Sequence, residues 1–345
     1  MQSQKQYLAG QVIANLIGVA VVAPIMMSLI FVNFGTGQGD VATVQVSLLV
    51  FLSCFLVIQC HTAVSNTRRE FVHGKWGRDG ETDVTAGELA SGPFARIWPA
   101  FPLGAALGAI TAAAVPTLVS EPIGTWTVAA IAFVPLVAGS TVLILLWLPK
   151  EQAALVGGGG RGPGATPTPS YPAYLFREHV LPWLPIQVIL NFGIGYKQFT
   201  FEAAKEGAHG LVPVGVAAAD AGIVVGILLF FLWLGSNFQV RPDVHFGRVP
   251  LPTREELSRS RLAGMSPLVA VIVTLVAFVL VAGLAGGAYF GACRLVRIEA
   301  LSPMTAIIGK TVLAGTAAAA GNAVGVWWGI RREAAAVPTR SSIAE

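Results

Sequence analysis

The chain has 345 residues, of which 54% are hydrophobic and only 12% charged, with a mean hydropathy of +0.69. Soluble domains carry about 25% charged residues, so this composition excludes a water-soluble globular protein and implies a surface that faces lipid. The net charge of +4 calls for no nucleic-acid partner, because basic loops beside an anionic leaflet account for it.

Crossing a bilayer takes roughly 20 helical residues. Eight apolar runs reach or approach that length, at 10–32, 41–61, 97–118, 126–148, 180–196, 214–235, 267–291 and 304–330. They are continuously apolar rather than alternating, which predicts helices and not barrel strands. The start, MQSQKQYLAG, has only Lys5 as side-chain positive charge, and the run after it is longer than a signal core, so the first run is expected to remain a helix. Within it Gln11 and Asn15 stand four apart on one face. The second run holds Cys54 and Cys60. With Cys293 they give neither a disulfide framework nor a metal spacing. The loop that follows carries Arg68, Arg69, His73, Lys75, Arg78 and Arg96, and Thr85-x-x-Glu88 has the pattern of a capping box. The third run contains Gly104 and Gly108. The fourth ends in LLWLPKE, with Trp147 as an interface residue.

Next comes GGGGRGPGATPTPSYP, residues 157–172, whose glycines and prolines predict a flexible or extended linker. The fifth run is short, begins with Pro182 and Pro185, and carries a second amide pair, Gln187 and Asn191. The sixth has Asp220 near one end, with Gly222 and Gly226. The loop after it brings Ser236-Asn237, His245 and Thr253-x-x-Glu256. Glycines recur every fourth residue in the seventh run (Gly283, Gly287, Gly291) and in the eighth (Gly321, Gly325, Gly329), a pattern for close helix packing. The eighth also contains Lys310, Asn322 and the pair Trp327, Trp328.

Three strings recur in the same order. Gln11…Asn15 matches Gln187…Asn191, Ser65-Asn66 matches Ser236-Asn237, and Thr85-x-x-Glu88-Leu89 matches Thr253-x-x-Glu256-Leu257. The expected fold is therefore all-α: a polytopic membrane protein of eight transmembrane helices, built as two parallel four-helix repeats. Residues 1–151 form the first repeat, 152–176 the linker, 177–333 the second repeat and 334–345 a tail. An even number of helices per repeat makes the repeats parallel, related by an axis along the membrane normal. Seventeen Lys and Arg fall on the side of the termini and long loops, against four on the other. The positive-inside rule then places both termini and those loops in the cytoplasm of a cell (inner) membrane protein.

The polar groups within the runs are the candidate chemistry. Gln11, Asn15, Gln187, Asn191 and Asn322 either line a polar path or clamp helices together, since an unpaired amide in hydrocarbon is costly. Lys310 either serves a substrate or counter-ion, or extends its ammonium to the nearby interface. His73 and His245 read as exposed loop residues or a pH-responsive pair. IIGKT lacks the upstream glycine of a phosphate loop, because Met304 stands there. With no nucleophile–base pair and no deep carboxylate, neither an enzyme nor a cofactor is expected. The reading favoured is a transporter or permease-like component with a path between two pseudo-symmetric halves. The alternative is a membrane sensor or anchor signalling to a cytoplasmic protein through 61–96 and 236–265. Lipid is the expected partner throughout, and the glycine faces leave room for a homo-oligomer.

Overall fold

The computed structural model describes residues 3–32, 38–72, 75–76, 97–156, 170–202, 210–245, 249, 251–253, 255, 257 and 265–336. His73, Thr85, Glu88, Glu256 and most of the 157–172 linker lie outside the described residues, as do the side chain of His245 and the tail beyond Ala336.

A helix occupies each of the eight apolar runs. They are α1 (Gln4–Val32), α2 (Val41–Val72), α3 (Ala100–Leu118), α4 (Thr125–Val156), the pair α5 (Tyr171–Tyr174) and α6 (Leu184–Tyr196) in place of one fifth helix, α7 (Val214–His245), α8 (Pro267–Leu295) and α9 (Pro303–Ala336). Six of the described helices (α2, α3, α4, α7, α8 and α9) are long and apolar enough to cross a membrane. Several outrun their apolar stretch by ten residues or so. Helix α4 continues through 152–156, and helix α5 begins at Tyr171, so both ends of the expected linker are helical.

Local chemistry explains the starts. Ser3 and Gln6 form a capping box: the Ser3 Oγ accepts from the Gln6 N–H at 3.3 Å, and the Gln6 Oε1 accepts from the Ser3 N–H at 3.0 Å. The Asp40 carboxylate caps α2 through the Thr43 N–H at 2.7 Å. Ser266 and Ser302 cap α8 and α9, each followed by a proline at the first helical position, where no N–H is needed. Hydroxyls within the apolar runs turn back on their own helix. Ser47, Ser53, Thr62, Thr67 and Ser140 each donate to the carbonyl four residues earlier.

The fifth run is where the regular helix fails. Leu175–Val180 and Lys197–Glu202 are wide, π-helical turns, and Leu181–Trp183 bends between α5 and α6. Pro182 and Pro185 supply no N–H to the ladder, so the chain adopts the wider turn, in which the Leu181 N–H reaches back to the Phe176 carbonyl at 2.8 Å.

Helix α1 packs on α4, and α2 packs on both α3 and α4. Helix α6 packs on α9, and α7 packs on both α8 and α9. Between these groups, α2 meets α6 and α7. Two short antiparallel strand pairs tie the loops at one end. Gln38–Gly39 (β1) pairs with Ile123–Gly124 (β2), and Val212–Pro213 (β3) pairs with Ala300–Leu301 (β4). We call this the strand end, and the end that carries Arg68, Glu151, Arg241 and Glu333 the basic end.

Candidate functional site

Helix α6 lies between α2 and α9. On its α2 side Gly193 faces Val50 so closely that a Cβ would come within 2.4 Å of the valine methyl, and the Ile186 carbonyl accepts from the Cys54 thiol at 3.8 Å. The His61 ring meets Trp183 edge-on at 4.9 Å. On its α9 side Leu184 abuts Gly315, and Gly195 leaves room for Ile307 and the stem of Lys310. Gln187, Asn191, Gly195 and Gln198 recur at helical spacing on this second side.

A line of buried polar groups follows from that geometry. At the basic end the Tyr174 hydroxyl donates to the Asp243 Oδ2 at 2.6 Å, and His179 Nε2 lies 3.0 Å from the same hydroxyl oxygen. Asn322 spans the next step: its Nδ2 donates to the His179 carbonyl at 2.8 Å, while its Oδ1 accepts from the Ser236 hydroxyl at 2.6 Å. Tyr174, His179, Asp243 and Asn322 are all buried. His61, whose Nδ1 is 3.4 Å from the Gln239 amide nitrogen, lies within electrostatic reach of His179, Arg68 and Asp243. Nearby Tyr171 donates to the Ala323 carbonyl at 3.3 Å. Burial raises its phenol above the ordinary value, and the Arg331 charge pulls the other way.

Further along α6 the Asn191 Nδ2 donates to the Gln187 carbonyl at 2.8 Å. The Gln187 Oε1 is buried with no hydrogen-bond partner, a state that costs about 1–3 kcal/mol. Toward the strand end, Lys310 Nζ pairs with Asp220 Oδ2 at 2.7 Å and donates to Gln198 Oε1 at 3.0 Å, with the Phe199 ring 5.7 Å away. Lys310 is 2% exposed. Its ammonium is held by Asp220 of α7, which is itself partly exposed.

Four of the six polar residues singled out in the sequence thus lie on α6 and α9: Gln187 and Asn191 bonded to each other, with Asn322 and Lys310 bonded to residues at either end of α6. The other two do not join them. Asn15 Nδ2 donates to the Ser140 hydroxyl at 2.8 Å within the α1–α4 contact, and Gln11 donates to the Tyr7 hydroxyl at 2.9 Å. Sequence reading missed Tyr174, His179, His61, Gln198 and Asp243. Only Asp243 left a signal: it sits eight residues beyond the apolar run of α7, within reach of a helix that continues past the hydrocarbon.

The glycine lines divide in the same way. A Cβ on Gly321, Gly325 or Gly329 would come within 3.0 Å of the α7 backbone at Leu229, Trp233 or Asn237. Gly283, Gly287 and Gly291 meet nothing within 4 Å, and Gly286 makes the close approach of α8 to α7 instead, against Ala218 and Gly222.

The chain matches no protein-family model, no curated protein and no solved structure.

Proposed function

We propose that the protein is a membrane transport component whose path runs along α6, at the junction of two parallel four-helix halves. The observation that carries this reading is a row of three polar groups along α6 and α9: Asp243, Tyr174, His179 and Asn322 at the basic end, Gln187 with Asn191, and Lys310 with Gln198 and Asp220 toward the strand end. Such groups are expensive in an apolar interior and mark solute or ion routes when they occur there.

The duplication is supported by contacts that repeat in register. A shift of 173 residues carries Gly39, Leu49, Ser53 and Arg68 onto Val212, Gly222, Gly226 and Arg241. A shift of 178 carries Gly104, Gly108 and Ile123 onto Ala282, Gly286 and Leu301. The first set touches the second in both halves. Gly39 pairs with Ile123 as Val212 does with Leu301. Gly108 packs on Leu49 and Gly104 on Ser53, as Gly286 does on Gly222 and Ala282 on Gly226. Arg68 bonds Glu151 of α4 and Arg241 bonds Glu333 of α9, a similar pair that lies four residues off this register. This register differs by two residues from the Ser65-Asn66/Ser236-Asn237 match. The Gln–Asn pairs do not repeat a contact either, because the position equivalent to Ser140 is Ala318. On this reading the basic end faces the cytoplasm.

The path can be tested without knowing the solute. In a background with Cys54, Cys60 and Cys293 replaced by alanine, a cysteine is introduced by Gln187→Cys, Asn191→Cys or Asn322→Cys. A membrane-impermeant methanethiosulfonate is then applied to each face of oriented vesicles. All three thiols should react from at least one face, while a cysteine from Ala132→Cys, in the core of the first half, should stay inert. If all four are inert, no solute-wide path runs along the polar groups, and unless protons alone still cross, they are a clamp between helices and the sensor or anchor reading replaces this one.

A further inference from the structure

We infer that the ion moved along this line is the proton, passed between the Lys310–Asp220 pair near the strand end and the His179–Tyr174–Asp243 chain at the basic end. The inference rests on the transport reading above and names what is carried.

The two ends are built for proton exchange in different ways. At the strand end, Lys310 and Asp220 are 2.7 Å apart, with Asp220 19% exposed and Lys310 2%. The pair is neutral overall when both groups are charged, and neutral again when both are uncharged. A proton reaching Asp220 turns the carboxylate into an acid. Lys310 is then a lone ammonium held only by Gln198 and the Phe199 ring, and it sheds a proton inward to become an amine. The acid next gives its proton to the amine across the 2.7 Å contact, and the ion pair is restored. One proton has passed from the Asp220 side to the Lys310 side, and no net charge is left buried in either resting state. The other groups near this pair are Lys197, beside Gln198 on the wide turn, and Tyr289 of α8, whose hydroxyl lies against Gly309.

At the basic end the three groups share two hydrogen bonds through one hydroxyl. Imidazolium His179 gives its Nε2 proton to the Tyr174 oxygen as the phenolic proton passes to Asp243. The chain ends as imidazole, phenol and carboxylic acid, and Asp243 releases the proton toward the basic end. His61, Arg68 and Gln239 face this chain from α2 and α7, and Asn322 from α9 fixes His179 by its carbonyl.

Between the ends, α6 runs alongside the stretch of α9 from Lys310 to Asn322, 12 residues or about 18 Å at a helical rise. The unpartnered, buried Gln187 Oε1 lies within that length. A lone acceptor in such a place has the character of a water-binding position, with the Asn191 side chain one turn on as a second polar wall.

The test is voltage-driven proton uptake. The purified full chain is reconstituted in liposomes holding a pH-sensitive dye, and a valinomycin–potassium diffusion potential is applied. Wild type should acidify the lumen at least tenfold faster than protein-free liposomes. Tyr174→Phe keeps the ring but removes the shared hydroxyl, and should abolish the excess. So should Lys310→Met with Asp220→Asn, a pair of changes that leaves no unpaired charge behind to unfold the protein. Wild-type flux at the level of empty liposomes would overturn the proton assignment, as would full flux in both variants. Should Asn191→Cys still react with the impermeant thiol reagent in that case, the path survives and only its cargo is wrong. Proton flux together with inert cysteines would show the reverse: a proton wire too narrow for a larger solute.

Discussion

The largest buried charge in the first half is Arg68. Its Nε donates to Glu151 at the basic end of α4, and the two side chains are 2% and 1% exposed. In the second half Arg241 pairs with Glu333 at 3.3 Å, but Arg241 is 41% exposed and Glu333 also receives Arg332 at 2.9 Å. Burial decides what each is worth. Removing one partner of a buried pair strands the other and costs about 3–5 kcal/mol. Glu333, though buried, has partners that water reaches, Arg241 and Arg332, and a pair with a solvated partner contributes roughly 0–1 kcal/mol. Glu151→Gln should therefore destabilise the protein by about 3–5 kcal/mol, and Glu333→Gln by no more than about 1 kcal/mol. Thermal unfolding in detergent, followed by tryptophan fluorescence, measures both, and equal losses would contradict the argument. The sequence showed these residues only as loop charge. Hydropathy ends α2 at residue 61, because it registers the part of a helix that lipid touches. The helix itself runs on to Val72, and it is that extra length that brings Arg68 against Glu151.

Among the helices, glycine spacing was legible and glycine partners were not. A period of four tells which face is smooth, and nothing in it tells what the face meets. Gly321, Gly325 and Gly329 bring α9 against the α7 backbone, yet the same pattern in α8 faces open space. The equivalents of the α9 glycines in α4 are Leu143, Trp147 and Glu151, so the first half has no such line. Gly325→Ala would put a Cβ 2.5 Å from the Trp233 carbonyl oxygen. That overpacking should cost about 1–3 kcal/mol. Gly287→Ala meets nothing within 4 Å and should leave stability unchanged or raise it by up to about 1 kcal/mol through better helix propensity. Melting temperatures of the two variants should move in opposite directions or differ by several degrees. The fifth helix was the other gap. Its prolines announced a weak helix, but not the wide turns on either side, both of which pack against α9.

Over the whole molecule, the duplication proposed above gives two halves that share contacts but differ in chemistry. The positions equivalent to Lys310 and Asp220 are Ala132 and Ser47, and the equivalent of Asp243 is Glu70. Helices α1 and α4 share the Asn15–Ser140 bond and a bond from the Gln152 amide to the Gln4 carbonyl, whereas α6 and α9 carry Gln187, Asn191, Asn322 and Lys310. On that reading the first half keeps its buried charge in the Arg68–Glu151 pair at the basic end and supports α6 through α2, while the second carries the ion. Asn15→Leu and Gln187→Leu test this asymmetry directly, since each replaces a buried amide on the first helix of its half. Asn15 has an unpaired Oδ1, and Ser140 keeps its bond to the Leu136 carbonyl without it, so Asn15→Leu should be close to neutral for folding. It should also leave proton uptake at the wild-type rate. Gln187→Leu removes an equally unpaired acceptor, so it too should fold, but it takes the polar step out of the middle of the line and should cut uptake at least tenfold. Equal effects of the two changes on uptake would mean that both halves carry the path, and that the symmetry of the frame extends to its function.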